Sequence, residues 1–151
     1  MGKTDAKAKD TERISREEYV RVLKSISLSD IALVSCQTAV DWDAAKDVDV
    51  MSVPVGISDT AEFEHENGAI TIRHRYDVRA KRGRKRLFYL KAEFAVKLAA
   101  TDVFTEEFFR IFRSTSLPLV TWPYLRQLVG SMTERMGLPR LQLGLWKTPF
   151  S

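Results

Sequence analysis

The sequence predicts an α+β fold, a four-stranded antiparallel sheet with one helix near the start of the chain and two at its end. Three observations carry this. Ile70, Ile72, His74, Tyr76 and Val78 alternate with Thr71, Arg73, Arg75, Asp77 and Arg79, the period of two of a half-buried strand. The same period returns from Leu87 to Ala99, with Phe88, Leu90, Ala92, Phe94, Val96 and Leu98 on one face. Beyond Thr105 the period lengthens to that of a helix, first in Phe108, Phe109, Ile111 and Phe112, then in Leu125, Leu128, Val129, Met132 and Met136.

The chain has 151 residues, 44% of them apolar, enough for one hydrophobic core. Residues 1–13 are nearly free of bulky apolar groups and are expected to form a disordered tail, with a single domain over 14–151. No run of eighteen apolar residues exists, so no membrane span is expected, and the charged N-terminus lacks the apolar core of a secretory signal. A cytoplasmic location follows as the expectation. The lone Cys36 excludes an internal disulfide and a multi-cysteine metal site, and its strand-like surroundings predict a buried, inert thiol.

The elements follow in order. Ser15 and Glu18 spell a capping box, with Ile14 and Tyr19 at the staple positions. A short helix is therefore predicted to about Ser27, its apolar face made by Tyr19, Val22, Leu23 and Ile26. Ile31 to Val40 reads as a strand, followed by an acidic connection from Trp42 to Asp47. Val48 to Phe63 is expected to be a broken or edge strand, because Pro54 cannot donate to a ladder and Gly56 invites a bulge. Asn67-Gly68 is a two-residue hairpin signal. Across the next turn, at Gly83, pairing Val78 with Phe88 would join Tyr76 to Leu90, Ile72 to Phe94 and Arg73 to Glu93.

Thr105 is placed to cap the next helix, with Glu106 and Glu107 in its first turn, and Leu117-Pro118 is expected to end it. The last helix is expected to begin with Thr121 as cap and Pro123 in its first turn. Gly137 suits a left-handed C′ position, Leu138 the hydrophobic contact after it, and Pro139 stops the helix.

Catalytic spacing patterns are missing. The chain has no glycine-rich phosphate loop, nucleophile elbow, His-Glu-x-x-His or Cys-x-x-Cys, so no enzyme, cofactor or metal is expected. His65 reads as a solvated turn residue beside Glu64 and Glu66, and His74 as a core histidine with satisfied hydrogen bonds. Asp41, Asp43, Asp47 and Asp49 read as loop-solvating acids.

The net charge of +4 is concentrated. Arg79, Lys81, Arg82, Arg84, Lys85 and Arg86 lie within eight residues, and without those six the chain would carry −2. This hairpin tip is a candidate contact for an anionic partner, and a nucleic-acid or ribosome-binding module acting through it is the alternative functional reading.

The string Pro123-Tyr124-Leu125-Arg126, then Ser131-Met132, Arg135 and Pro139-Arg140-Leu141-Gln142-Leu143, resembles the last helix and tail of SecB-type export chaperones, as do Asp30-Ile31 and Asp41-Trp42 upstream. The resemblance implies a SecB-like fold and an ATP-independent holdase for unfolded polypeptides, built as a homotetramer from paired dimers. It implies a client groove lined by Trp42, Val53, Val55, Leu128, Met132, Met136 and Leu138. It also makes 104–115 the oligomer helix, with Phe104, Phe108, Phe109 and Phe112 at the interface. Four aromatics in nine residues exceed what one small sheet face covers, which independently favours a partner subunit. The chain departs from export SecB in its added N-terminal helix and in lacking the acidic surface and long tail that engage the SecA motor. SecA delivery is not expected, and the clients implied are preproteins or, as for SecB-like chaperones of toxin-antitoxin systems, an antitoxin.

Overall fold

In the computed structural model, which describes residues 13–46, 48–49 and 52–146, α1 (Arg16–Ser25) leads into β1 (Ile26–Val40) and a one-turn α2 (Trp42–Ala45). The strands β2 (Val55–Glu66), β3 (Ala69–Arg82) and β4 (Lys85–Ala100) follow, then α3 (Glu106–Thr115) and α4 (Leu117–Arg135). The expected tail lies, apart from Arg13, outside the described residues, as does Asp47. All strand pairs are antiparallel in the order β1-β4-β3-β2, so the first and second strands in sequence are the two edges. The fold class read from the alternation is the one observed.

One sheet face is covered. On β3 and β4 the residues assigned to the apolar face, from Ile70 to Val78 and from Phe88 to Leu98, are buried. They divide into two clusters. Tyr76, Val78, Phe88, Leu90 and Phe94 pack with Trp122, Leu125 and Val129 of α4 and with Leu138, Leu141 and Leu143 after it. Ile70, Ile72, Val96 and Leu98 pack with Val22 of α1 and the α3 aromatics. The opposite face is polar, with Glu93 between Arg75 at 3.0 Å and Arg73 at 3.9 Å, and Arg75 also 3.0 Å from Glu62.

Local chemistry sets the ends of the elements. The Ser15 hydroxyl accepts from Glu18 N–H at 3.1 Å, and Thr105 accepts from Phe108 N–H at 3.2 Å. Asn67 and Gly68 both take positive φ, as a type I′ hairpin turn requires. Gly137, at φ +74°, closes α4 in a full Schellman arrangement. Its N–H donates to Glu134 C=O, and Leu138 N–H donates to Thr133 C=O, both at 2.9 Å.

Several expectations are corrected. The strand β1 starts five residues before Ile31, because β4 is long enough to pair it from Ile26 onward. The acidic connection contains α2, capped by the Asp41 carboxylate on Ala44 N–H at 3.0 Å. The strand β2 begins only after Pro54 and keeps continuous register through Gly56, so no bulge forms there. Ala80, not Val78, faces Phe88, and Arg75, not Arg73, faces Glu93. The turn is tighter than expected, with Arg82 paired to Lys85 and an irregularity after Ala80. Finally α4 starts at Leu117, so Pro118 is its first-turn proline and Pro123 lies inside the helix.

Candidate functional site

Tyr124, Leu128, Met132 and Met136 recur every four residues along α4 and form one stripe on its surface. One end of the stripe meets β4 and the other meets β1. The Tyr124 ring lies 6.4 Å from that of Phe94, whose cross-strand partner on β1 is Leu33. At the other end Thr38 Oγ1 approaches Met136 Sδ at 3.6 Å. Between them Cys36 pairs with Ala92, a small residue flanked on the same face by Leu90 and Phe94. The α4 stripe and the edge strand β1 border one shared surface, called the trough below.

Its walls are apolar and open. Leu33 is 45% exposed, Tyr124 46% and Trp42 54%, while Leu128, Met132 and Met136 are half-buried. Trp42 sits where the trough meets the end of α4. A Cβ placed on Gly137 would come within 2.8 Å of Trp42 Cη2, so the indole lies on a bare glycine backbone. Asp41 N–H donates to Leu87 C=O at 2.8 Å and ties this corner to β4. Methionine and aromatic walls of this kind adapt to varied apolar side chains.

The expected groove residues separate in space. Trp42, Leu128, Met132 and Met136 come together along the trough. Val53 and Leu138 are buried in the core, and Val55 is partly buried at the start of the opposite edge strand, paired with Ala80. Leu33 and its exposed neighbours Leu28 and Val34 carry no special sequence signal; only the edge position of β1 exposes them.

Three further expectations change. Phe104, Phe108, Phe109 and Phe112 are all buried within the single chain. Tyr19 of α1 stacks on Phe108 at 4.9 Å and Phe63 of β2 meets Phe109 at 4.7 Å, so the added N-terminal helix supplies the cover that the argument for a partner subunit lacked. Trp122 is core as well, its indole N–H donating to Gly144 C=O at 2.7 Å. Cys36 is exposed rather than buried, because it lies on an edge strand; what burial it has still pushes its thiol pKa up and keeps it a weak nucleophile. In the hairpin, Arg79 is not a free cation, since its guanidinium grips Asp77 through two bonds of 2.9 Å and thereby holds that carboxyl below its usual range.

A second constellation has the residue types of a catalytic triad. His74 Nε2 lies 2.7 Å from Asp59 Oδ2, His74 Nδ1 lies 2.9 Å from Thr121 Oγ1, and the Tyr76 hydroxyl lies 2.7 Å from the same Thr121 oxygen. With the Thr121 hydroxyl, which also lies 3.3 Å from Leu117 C=O, turned to Nδ1 of a neutral His74, Tyr76 O–H donates to Thr121 and Nε2–H to Asp59. Burial pushes the His74 pKa down against the opposing pull of Asp59, and burial raises that of Tyr76 to about 12, so both hold these protonation states at neutral pH. His74 and Thr121 are wholly inaccessible, so no substrate reaches the hydroxyl and the network pins α4 to β3. His65 is likewise engaged, with Nε2 3.2 Å from Phe104 C=O, and among the described residues no group of three His, Cys, Asp or Glu could hold a metal ion.

No family model matches the chain, and no curated protein matches it. Among solved structures it is similar to a SecB-like chaperone of Mycobacterium tuberculosis, solved in complex with a ChAD peptide from the HigA1 antitoxin. The two superpose with a TM-score of 0.69 at 21% identity, over 84% of this chain and 94% of that one. A protein of unknown function from Streptococcus agalactiae aligns with a TM-score of 0.44 at 9% identity, over 80% of this chain and 97% of that one. The fold of the present chain is SecB-like.

Proposed function

We propose that this SecB-like chain is a non-enzymatic, ATP-independent holdase that seats apolar residues of a non-native polypeptide in the trough between β1 and α4, in the cytoplasm. The observation that carries this reading is the stripe of exposed Tyr124 and half-buried Leu128, Met132 and Met136, between exposed Leu33 and Trp42. A polypeptide without fixed shape needs apolar surface that adapts, and an edge strand beside it for backbone pairing. Both occur together here. Val55 belongs to the same client surface as its partly buried outlier on β2, whereas Val53 and Leu138 are core.

The antitoxin peptide bound by the mycobacterial neighbour supports a client of antitoxin type over an export preprotein. Self-association through the β1 edge is the competing use of the same strand where no client is paired to it, since Leu28, Leu33 and Val34 leave an apolar edge uncovered.

The test is suppression of aggregation of an unfolded model client by the full chain. Wild type is expected to hold the client in solution at near-stoichiometric ratio, and Met132→Asp to lose most of that effect by placing a charge in the trough while keeping the wild-type mass in light scattering. A wild-type chain that leaves aggregation unchanged sinks the proposal. Loss of assembly together with binding in Met132→Asp would move Met132 from the trough into an interface between copies.

A further inference from the structure

The basic hairpin is built against its own stability. The strand β1 ends at Val40, opposite Phe88, and β2 begins at Val55, opposite Ala80, while β3 and β4 run on alone as a two-stranded ribbon. The two pairs of that ribbon set Lys81 against Arg86 and Arg82 against Lys85. Like charges directly opposed weaken a ladder. Little nearby offsets them: among the described residues none of these four cations, nor Arg84 in the turn, forms an ion pair, and Asp77 at the base, which feels the charge of Arg86, is gripped by Arg79. All five are exposed, and only Arg86 has a partner, stacking 4.5 Å above the Tyr89 ring.

The place of this tip gives the cost a use. Val40 and Val55, the last residues of the flanking strands, mark the row from which the ribbon leaves the sheet. Asp41, bonded to Leu87, carries Trp42 to the same row. At about 3.4 Å per residue, the two basic pairs project about 7 Å beyond it. An extended chain lying in the trough and passing Trp42 therefore runs on beside the tip within a few residues.

We infer that the 81–86 tip selects clients by charge, and that the preferred client of the trough is a polypeptide carrying a short run of Asp or Glu immediately beside its apolar anchors. The inference rests on the holdase reading above and specifies its substrate class. A short acidic run just beyond the anchor that meets Trp42 can lie on the tip and clear of Asp41 and Asp43. A nucleic acid, whose charge is continuous, would also meet a body that carries a net −1 once the five tip cations are set aside. The tip itself, 81–86, holds no aromatic residue on which bases could stack.

The experiment compares two fluorescent peptides with one apolar core, flanked by Asp and Glu in one and by Ser and Asn in the other. Binding to the full chain is followed by anisotropy at about 20 mM and about 300 mM salt, which changes the screening of exposed charges severalfold. The acidic-flanked peptide is expected to bind about tenfold tighter at low salt, and to lose that advantage at high salt. In the variant K81S/R82S/R84S/K85S the two peptides should bind equally, with the neutral one unchanged. That unchanged affinity, with an undiminished melting temperature, shows the variant folded. Equal affinities in wild type overturn the inference and leave the trough standing; failure of both peptides to bind overturns the trough reading and this inference with it. A single-stranded oligonucleotide that binds tighter than the acidic peptide, and loses binding in the variant, assigns the tip to nucleic acid and overturns the inference as well.

Discussion

Thr121 shows how a single residue changes meaning once its surroundings are known. As a hydroxyl two positions before a proline it reads as a helix cap, yet it lies inside α4 and joins Tyr76 and His74 to that helix. The network has a pH signature. His74 has a lowered pKa in the folded chain and a value of about 6.5 when unfolded, so the unfolded state takes up its proton first as pH falls. This contribution to stability is whole above about pH 6.5 and shrinks as pH drops below it. Urea midpoints between pH 7.5 and 5.5 should fall for wild type and fall less steeply for His74→Asn; parallel slopes would exclude His74 as the source. The role of His74 as a satisfied core histidine was legible from its place on an apolar strand face. Its partners were not, because Asp59 and Thr121 lie 15 and 47 residues away in sequence.

Among the elements, the end of α4 and the segment after it were the most legible, whereas its start was not. Gly137 takes the left-handed cap and Leu138 the contact that follows, as the local spelling requires. The Pro-x-Leu-x-Leu segment then runs back along the helix as a strap. Leu141 N–H donates to Thr133 Oγ1 at 3.0 Å, Arg126 Nε–H donates to Leu143 C=O at 2.7 Å, and Leu141 and Leu143 point into the core. Gly137 also bears the Trp42 ring, which no local rule anticipates. Gly137→Ala should therefore do two things: cost about 1–2 kcal/mol for a left-handed alanine, read from urea denaturation, and displace the indole, read as a changed Trp42 emission in a chain whose other tryptophans are replaced. Unchanged emission would mean that Trp42 does not rest on the helix end in solution. The register of β3 on β4 was misread by two residues for a physical reason. A slip of two keeps every side chain on its own face, so apolar matching cannot detect it, and the tight turn with its irregularity after Ala80 decides.

The whole molecule distributes its apolar surface unevenly. Helices α1, α3 and α4 cover the centre of the sheet and leave β1 as an apolar edge, with Val34 54% exposed. If copies associate through that edge, light scattering will give a mass above the 17.3 kDa of one chain, and Val34→Lys will lower it, since an edge lysine opposes strand pairing. A wild-type chain that stays monomeric at tens of micromolar, taken as an order of magnitude for such contacts, would remove self-association from the proposal. The fate of the α3 aromatics follows from the same distribution. Counted along the sequence they exceed what one sheet face covers, but α1, distant in sequence, folds over them.

By itself the sequence determined the fold class, the faces of β3 and β4, the capped starts of α1 and α3, the glycine-capped end of α4, and the concentration of charge in one hairpin. These depend on period, turn chemistry and capping, which act within a few residues. The tertiary structure alone decided which strands are edges, which apolar residues stay open, and that Trp42, the α4 stripe and the basic tip lie along one path. Exposure and adjacency are set by strand order and by what packs over each strand, and those contacts join residues far apart in the chain.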